Sequence, residues 1–287
     1  MNLEEYLKEH YTAQTAATYK RTIEAYRLDH GREEQAVYKD IATYLGILRK
    51  RYSKGSTLNK ILCAIKVYYD FLIHTGKRED NPARSMRLRD PVSKDIQLQD
   101  LFTEKELETL LERKERYSLL ACRNRVLTSL LIYQALLPGE LEALTVKAIN
   151  LSSGTIYVKG TGKTSSREMG LKPMQIMLLH QYINEIRPQL IKGSAYESLL
   201  IGSRGAPLTG EEITKYVTSS FKNKFTGRKV NVTTIRQSVI ANLLKGGNDL
   251  RIVQVFAGHK YPSTTEKYKQ TDIEALKTAI ENYHPMR

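Results

Sequence analysis

The chain has 287 residues, of which 41% are hydrophobic and 26% charged, and its formal net charge is +14 at pH 7. This composition is typical of a globular protein and argues against disorder. The basic surplus, most of which lies in residues 101–287, indicates a phosphate-rich partner, although a solvated basic surface is the alternative. Cys63 and Cys122 are too far apart in sequence to indicate a disulfide framework or a zinc site. No secretory signal opens the chain, so a cytoplasmic protein is expected.

Residues 1–84 show helical periodicity. Apolar and aromatic residues recur at helical spacing and predict helices over 15–26, 37–51 and 58–73, the last after a loop at 54–57, and together they indicate a helical first domain. Residues 85–100 are polar, contain a proline and lack periodicity, so they are predicted to form an interdomain linker.

The remaining residues, 101–287, mix helical and strand patterns. Residues 103–106 (TEKE) have the form of a capping box that opens a helix. The uncharged stretch 126–139 is too short to span a bilayer and predicts a buried helix. Residues 154–162 predict a strand that enters a glycine-marked turn, and 167–171 predict its returning partner.

An ordered series of short motifs lies in the last third of the chain: VTTIRQS at 232–238, LLKGG at 243–247, GH at 258–259 and TTEKY at 264–268. This series resembles the tyrosine recombinase (phage integrase) family, whose patterns H-x-L-R, L-L-x-x-G, L-G-H and T-x-x-Y follow in this order. A lone Gly-His pair or a lone tyrosine carries little information, whereas the ordered series at matching spacing, which lacks only the first histidine, is a specific signal.

The resemblance extends upstream over nearly the whole chain. Residues 132–145 (IYQALLPGELEALT) are similar to the family pattern Y-x-T-G-L-R-x-S-E-L-x-x-L-T, and residues 57–83 contain segments similar to its core-binding domain. The resemblance implies a mainly α fold with a small β-sheet. A helical, SAM-like core-binding domain would occupy residues 1–84 and an α+β catalytic domain residues 101–287.

The mechanism that the resemblance implies needs no metal and no cofactor. Tyr268 would attack the scissile DNA phosphate and form a 3′-phosphotyrosyl bond, which a 5′-hydroxyl later reverses. Arg236 would hold a non-bridging phosphate oxygen, and His259 would serve as a donor or proton shuttle.

Three positions depart from the family pattern. Leu137 stands at the first arginine position, Thr161 at the hairpin lysine position and Thr233 at the first histidine position. Lys159 and Lys163 lie two residues on either side of Thr161 and hence on the same face of the hairpin. Lys163 is the preferred substitute acid, because it lies in the turn, where a long side chain can reach inward. Candidates to replace the missing arginine are Arg123, Arg125 and Arg167.

Double-stranded DNA is the predicted partner, and no membrane association is expected. The predicted DNA-contacting residues are Arg51, Lys60, Lys66, Lys159, Arg167 and Thr233. Residues 272–283 have an amphipathic helical pattern, and in the family such a helix docks on a neighbouring subunit, which implies dimers or tetramers on DNA.

Two functional hypotheses follow, both of which place the protein at the nucleoid. The first is a site-specific recombinase that exchanges DNA strands. The second is a recombinase-derived DNA-binding protein whose cleavage is lost or strongly weakened. The joint presence of Tyr268, Arg236 and His259 favours the first hypothesis, whereas the three departures favour the second. A plain helix-turn-helix regulator would not explain the hairpin or the spacing of Tyr268.

Overall fold

The structure, a computed structural model, describes residues 1–31, 33–88, 100–193 and 195–268. The chain divides into two compact units, Met1–Lys94 and Asp95–Arg287, which are called the N-unit and the C-unit below. Most of the linker predicted at residues 85–100 lies outside the described residues. The fold is mainly helical with one small antiparallel sheet, which confirms the predicted fold class. Within the described ranges, no helix is long and apolar enough to cross a membrane.

The N-unit is helical, and its described helices are α1 (Leu3–His10), α2 (Ala13–His30), α3 (Tyr38–Arg51) and α4 (Gly55–His74). The last three confirm the helices predicted over 15–26, 37–51 and 58–73, but α4 begins at Gly55, within the loop predicted at 54–57. Helix α1 was not predicted; it begins with a capping box in which the Asn2 side chain accepts from the backbone N–H of Glu5.

Tyrosines form part of the N-unit core, where α2 packs against α4. Tyr26 and Tyr69 are fully buried, and their hydroxyl oxygens lie 2.6 Å apart. Each ring therefore contributes apolar area while its hydroxyl keeps a hydrogen-bond partner inside the unit.

The C-unit contains more elements, which are bounded as follows: α5 (Glu104–Glu108), α6 (Ser118–Gln134), α7 (Pro138–Glu142), β1 (Ile149–Asn150), β2 (Thr155–Val158), β3 (Arg167–Gly170), α8 (Pro173–Gln181), α9 (Arg187–Ile191), α10 (Gly210–Ser220), α11 (Val232–Lys245), α12 (Leu250–Ala257) and α13 (Pro262–Glu266). The capping box predicted at 103–106 opens α5, where the Thr103 side chain accepts from the N–H of Glu106. Helix α6 is largely buried and packs against α8 and α11.

The predicted buried helix at 126–139 needs a correction at its end. Helix α6 stops at Gln134, because Ala135 adopts the left-handed conformation with φ 52°. Pro138 then opens the separate short helix α7. A proline is favoured at this first position, because the N–H that it lacks would have no partner in the helix and its fixed φ already suits a helix. The break leaves the backbone carbonyl of Ala135 outside the helical ladder and available to a side chain.

The sheet has the order β1–β2–β3 with antiparallel neighbours, and the β2–β3 hairpin confirms the predicted strand pair. Its register pairs Ile156 with Met169 and Val158 with Arg167. All four of these residues are buried, since alternate residues of a strand point to the same face. Arg167 therefore faces the interior of the C-unit.

Candidate active site

Five side chains from separate parts of the C-unit meet in one buried cluster. Glu140 comes from α7, Arg167 from β3 and Arg236 from α11, whereas His259 and Tyr268 follow α12 and α13. Tyr268 and both arginines are each less than a tenth exposed, and Glu140 is 2% exposed. The structure thus brings together Arg236, His259 and Tyr268, the three residues that the motifs single out.

Arg236 is anchored by two backbone carbonyls. Helix α11 begins after Asn231, whose side chain caps the N–H of Thr234. One turn later, the Arg236 guanidinium donates to the carbonyl oxygens of Ala135 and Ala257. Burial lowers the pKa of Arg236, but a guanidinium remains protonated in proteins. Because these bonds use two of five N–H donors, they orient the charge without exhausting it.

Glu140 and Arg167 form a buried bidentate ion pair. Arg167 Nη1 donates to Oε1 at 2.7 Å and Nη2 donates to Oε2 at 3.1 Å. The backbone N–H of Leu137 also donates to the Glu140 carboxylate, at 2.9 Å. Burial alone would raise the pKa of Glu140, but the hydrogen bonds from Arg167 and Leu137 outweigh it and hold that pKa below its usual value.

One carboxylate oxygen joins the two arginines. Glu140 Oε2, which accepts from Arg167, lies 4.0 Å from Arg236 Nη1. Gly258 makes room for this arrangement, since a Cβ atom at that position would lie 2.6 Å from Arg167 Nη1. Two guanidinium groups therefore border a single carboxylate, which leaves a net positive charge in the interior.

His259 is tied to the returning arm of the hairpin. Thr164 and His259 form an isolated antiparallel bridge, and the N–H of Ser165 donates to the carbonyl of Gly258 at 2.9 Å. Burial, reinforced by the positive charges of Arg236 and Arg167, lowers the pKa of His259 to about 4. The imidazole is therefore neutral at physiological pH.

Tyr268 is 7% exposed and packs among Ile240, Val253 and Ala257. Its ring stacks with that of His259 at an interplanar angle of 16°, with the ring centroids 6.4 Å apart. Burial raises the pKa of Tyr268, and the charge of Arg236 acts in the opposite direction. The phenol consequently keeps its proton at neutral pH.

The hairpin turn presents lysines to solvent. The hydroxyl of Thr161 accepts from the N–H groups of Lys163 and Thr164, at 3.2 and 3.1 Å, so it closes the turn. Lys159 and Lys163 are exposed. Lys260, which the sequence analysis missed, reaches the same turn and donates to the carbonyl of Gly162 at 3.0 Å. Its only sequence signal is that it directly follows His259.

The three departures from the motifs are placed as follows. Leu137 is partly buried and precedes α7, Thr161 lies in the turn just described, and Thr233 is exposed in the first turn of α11. None of these side chains brings a positive charge to the cluster.

The proposed arginine substitutes differ sharply in environment. Arg123 is buried elsewhere, where it donates to the Asn124 side chain and the Ile201 carbonyl, and Arg125 is exposed. Of the three, Arg167 is the one paired with Glu140.

The predicted DNA contacts in the N-unit are also differently placed. Arg51 and Lys60 are exposed, whereas Lys66 is partly buried and donates to the carbonyl of Met86 at 2.7 Å. All six DNA-contact assignments stay predictions. Across the ranges that the structure describes, no group of three or more His, Cys, Asp or Glu side chains is arranged to hold a metal ion.

Comparison with known proteins agrees with this architecture. The sequence model of the phage integrase family matches residues 100–274, and the model of the phage integrase N-terminal SAM-like domain matches residues 2–76. The fold and the buried cluster define a protein of the tyrosine recombinase class. The chain belongs to the phage integrase family.

Similar proteins cover nearly all of the chain. Tyrosine recombinase XerD of Oceanobacillus iheyensis is 29% identical over 278 residues, which are 94% of this chain and 92% of that protein. Tyrosine recombinase XerC of Halalkalibacterium halodurans is 28% identical over 92% of this chain and 91% of its own length. A lambda integrase tetramer bound to a Holliday junction has a TM-score of 0.69 at 17% identity, covering 93% of this chain and 74% of that one. A lambda integrase dimer bound to a core site has a TM-score of 0.67 at 18% identity and covers 93% of both chains. These structural likenesses show a shared fold.

Proposed function

We propose that the chain is a site-specific tyrosine recombinase that cuts and rejoins duplex DNA through a 3′-phosphotyrosyl intermediate. One observation carries this proposal: the motif tyrosine, Tyr268, is held against His259 beside the buried guanidinium of Arg236. The names of the similar XerC and XerD proteins, and the DNA-bound states of the similar lambda integrase structures, support it.

In the proposed reaction the oxygen of Tyr268 forms a bond to phosphorus, and the bond from phosphorus to the 5′ oxygen breaks. The phenol must lose its proton during the attack, and the leaving 5′ oxygen must gain one. His259 is neutral and its Nδ1 lies 2.8 Å from the hydroxyl oxygen of Thr265, so Nε2 is the ring nitrogen left to interact with the attacking phenol or a phosphate oxygen. The reverse step, with a 5′-hydroxyl from another strand, releases Tyr268 and exchanges strands.

Arg236 supplies charge where the reaction needs it. The phosphorane-like transition state carries more negative charge on its non-bridging oxygens than the starting phosphate. A fixed guanidinium in a buried, low-dielectric site stabilises that charge without reorganising at the moment of reaction.

The proposed DNA contacts are the exposed basic residues Arg51, Lys60, Lys159 and Lys163, together with Lys66, Arg167 and Thr233. Self-association on DNA is part of the proposal and is supported by the similar dimeric and tetrameric integrase structures. The C-terminal helix expected at 272–283, which would join the subunits, lies outside the described residues.

A second function has its own support in the three departures. With Leu137, Thr161 and Thr233 at motif positions, three charged or proton-donating groups of the family pattern are missing. A recombinase-derived protein that binds DNA but no longer cuts it is therefore the alternative.

Covalent capture separates the two functions. A binding site is first selected from a pool of random duplexes and then rebuilt as a nicked duplex, from which the cut fragment diffuses away. We expect the wild-type chain to become attached to this DNA on a denaturing gel, and Tyr268→Phe to bind it without attachment. Tyr261→Phe is the matched control, because Tyr261 is 70% exposed and lies outside the cluster. Binding without attachment by the wild-type chain would establish the alternative.

A further inference from the structure

Arg167 has a buried positive charge with incomplete hydrogen bonding. Its side chain is 1% exposed, and both terminal nitrogens bind Glu140. Its Nε, by contrast, is the one buried side-chain nitrogen or oxygen without a partner among the residues that the structure describes. Buried donors are nearly always satisfied in folded proteins, so an exception such as this calls for an explanation, for example a role in binding or catalysis.

The same charge belongs to the candidate active site. Arg167 shares the Glu140 carboxylate with Arg236 and packs against Gly258, the residue before His259. Burial and the charges of both arginines act on His259. The ion pair of Arg167 with Glu140 therefore adjoins both the motif arginine and the residue that precedes the motif histidine.

Position 137 explains why a second arginine is needed here. Residue 137 is the N-cap of α7, and its backbone N–H donates to Glu140 Oε2 at 2.9 Å, so an arginine at 137 would begin beside that carboxylate. Leu137 brings no charge to that place. Arg167 reaches the same carboxylate from β3, where the strand pleat turns it inward beside Met169.

We infer that Arg167 is a catalytic residue that replaces the arginine missing at position 137. This inference rests on the proposed recombinase function. Arg167 Nε–H donates to one non-bridging oxygen of the scissile phosphate while Arg236 donates to the other. Tyr268, Arg236 and Arg167 are 7%, 7% and 5% exposed, so they are covered to the same degree. Tyr268 packs against Ala257, whose carbonyl oxygen accepts from Arg236, and Arg236 shares the Glu140 carboxylate with Arg167, so the tyrosine and both arginines belong to one continuous cluster.

The test compares two DNA linkages in a background that tolerates the change. Arg167→Met alone would leave the Glu140 carboxylate buried and unpaired. The two variants compared are therefore Glu140→Gln and Glu140→Gln/Arg167→Met. One duplex has the normal scissile phosphodiester. The other has a methylphosphonate, in which a methyl group replaces a non-bridging oxygen, so the linkage is neutral and needs less positive charge. In both, the Tyr268 oxygen bonds to phosphorus and the 5′ oxygen leaves with a proton.

We expect Arg167→Met to slow attachment to the phosphodiester by about 100-fold or more, in line with the loss of one transition-state donor. On the methylphosphonate the slowing should shrink to less than about tenfold, since less charge has to be stabilised. A structural role would slow both linkages equally, and equal slowing, or no slowing of either, would overturn the inference. With Glu140 intact, the double variant Leu137→Arg/Arg167→Met should regain most of the lost rate. A wild-type chain that attaches to neither linkage overturns the recombinase function itself.

Discussion

The imidazole Nδ1 of His259 lies 2.8 Å from the hydroxyl oxygen of Thr265, which is fully buried. The backbone carbonyl of Thr265 also accepts from the N–H of Tyr268, at 3.0 Å. One threonine on α13 therefore positions both the imidazole and the segment that ends in the tyrosine. When the hydroxyl donates to Nδ1, the ring proton of the neutral imidazole resides on Nε2, which becomes the donor.

Thr265→Val tests this relationship, because it removes the hydroxyl and keeps the shape of the side chain. A hydrogen bond contributes about 0.5–1.5 kcal/mol, so attachment to the nicked duplex should slow by about 2- to 10-fold. Thr265→Ser keeps the hydroxyl and should remain near the wild-type rate. Equal rates for the valine and serine variants would show that the bond does not position His259.

The stability of the protein should depend on pH through His259. Its pKa is lowered to about 4 by burial and by the two arginines, whereas in the unfolded chain it is about 6.5. The unfolded state therefore binds a proton first, and stability is lost as the pH falls from about 6.5 towards 4. His259→Gln removes this titration. As the pH falls through this window, the free energy of unfolding of His259→Gln should therefore decrease less than that of the wild type. Parallel curves of the free energy of unfolding against pH would contradict the assignment.

Duplex binding should be strongly salt-dependent. Each phosphate neutralised by a lysine or arginine contributes about −0.9 to the slope of log affinity against log salt. Lys60→Ala should weaken binding to all sequences and leave unfolding nearly unchanged, because Lys60 is exposed. Lys66→Ala should weaken binding and also destabilise the N-unit, since Lys66 donates to the carbonyl of Met86. An affinity that does not change between low and physiological salt would exclude DNA binding through phosphate contacts from lysines and arginines.

Assembly on DNA should require the last residues of the chain. The pattern of Ile273, Leu276, Ile280 and Tyr283 predicts an amphipathic helix whose apolar stripe has to be buried. A chain truncated after Thr271 should still bind a single site and should lose the slower-migrating complexes that contain several subunits. If it forms these complexes as well as the full chain, the helix packs within its own subunit.

The motif residues could be predicted from the sequence because their spacing is local. Arg236 and His259 are placed by short motifs on or next to a helix, and the strand pair 154–162 and 167–171 is visible as two short segments on either side of a glycine-marked turn. The end of α6 was missed because alanine favours helix, so nothing at Ala135 announces a left-handed residue.

Long-range contacts explain what sequence reasoning could not reach. The bond from Lys260 to Gly162 joins residues 98 positions apart, and the pair of Glu140 with Arg167 joins residues 27 apart. A signal for Arg167 did exist, since it alternates with Met169 and Leu171 along one face of a strand. That pattern indicates a buried arginine, and its partner becomes visible only when α7 and β3 are seen together.

A lysine at the hairpin turn is expected to supply the proton that the leaving 5′ oxygen requires. Lys163 is exposed in the turn that Thr161 closes, and Lys260 donates to the same turn. Both lysines are therefore candidates for the proton donor. We expect Lys163→Ala to slow cleavage of the normal duplex more than Lys260→Ala, because a protonated hydroxyl leaves far more easily than an alkoxide.

A duplex with sulfur in place of the bridging 5′ oxygen has a leaving group that needs no proton. It should therefore restore the rate of Lys163→Ala, while Tyr268→Phe stays inactive on both duplexes. A rescue of Lys260→Ala alone would assign the acid to Lys260, and no rescue of either variant, with normal DNA binding, would remove both lysines from that role.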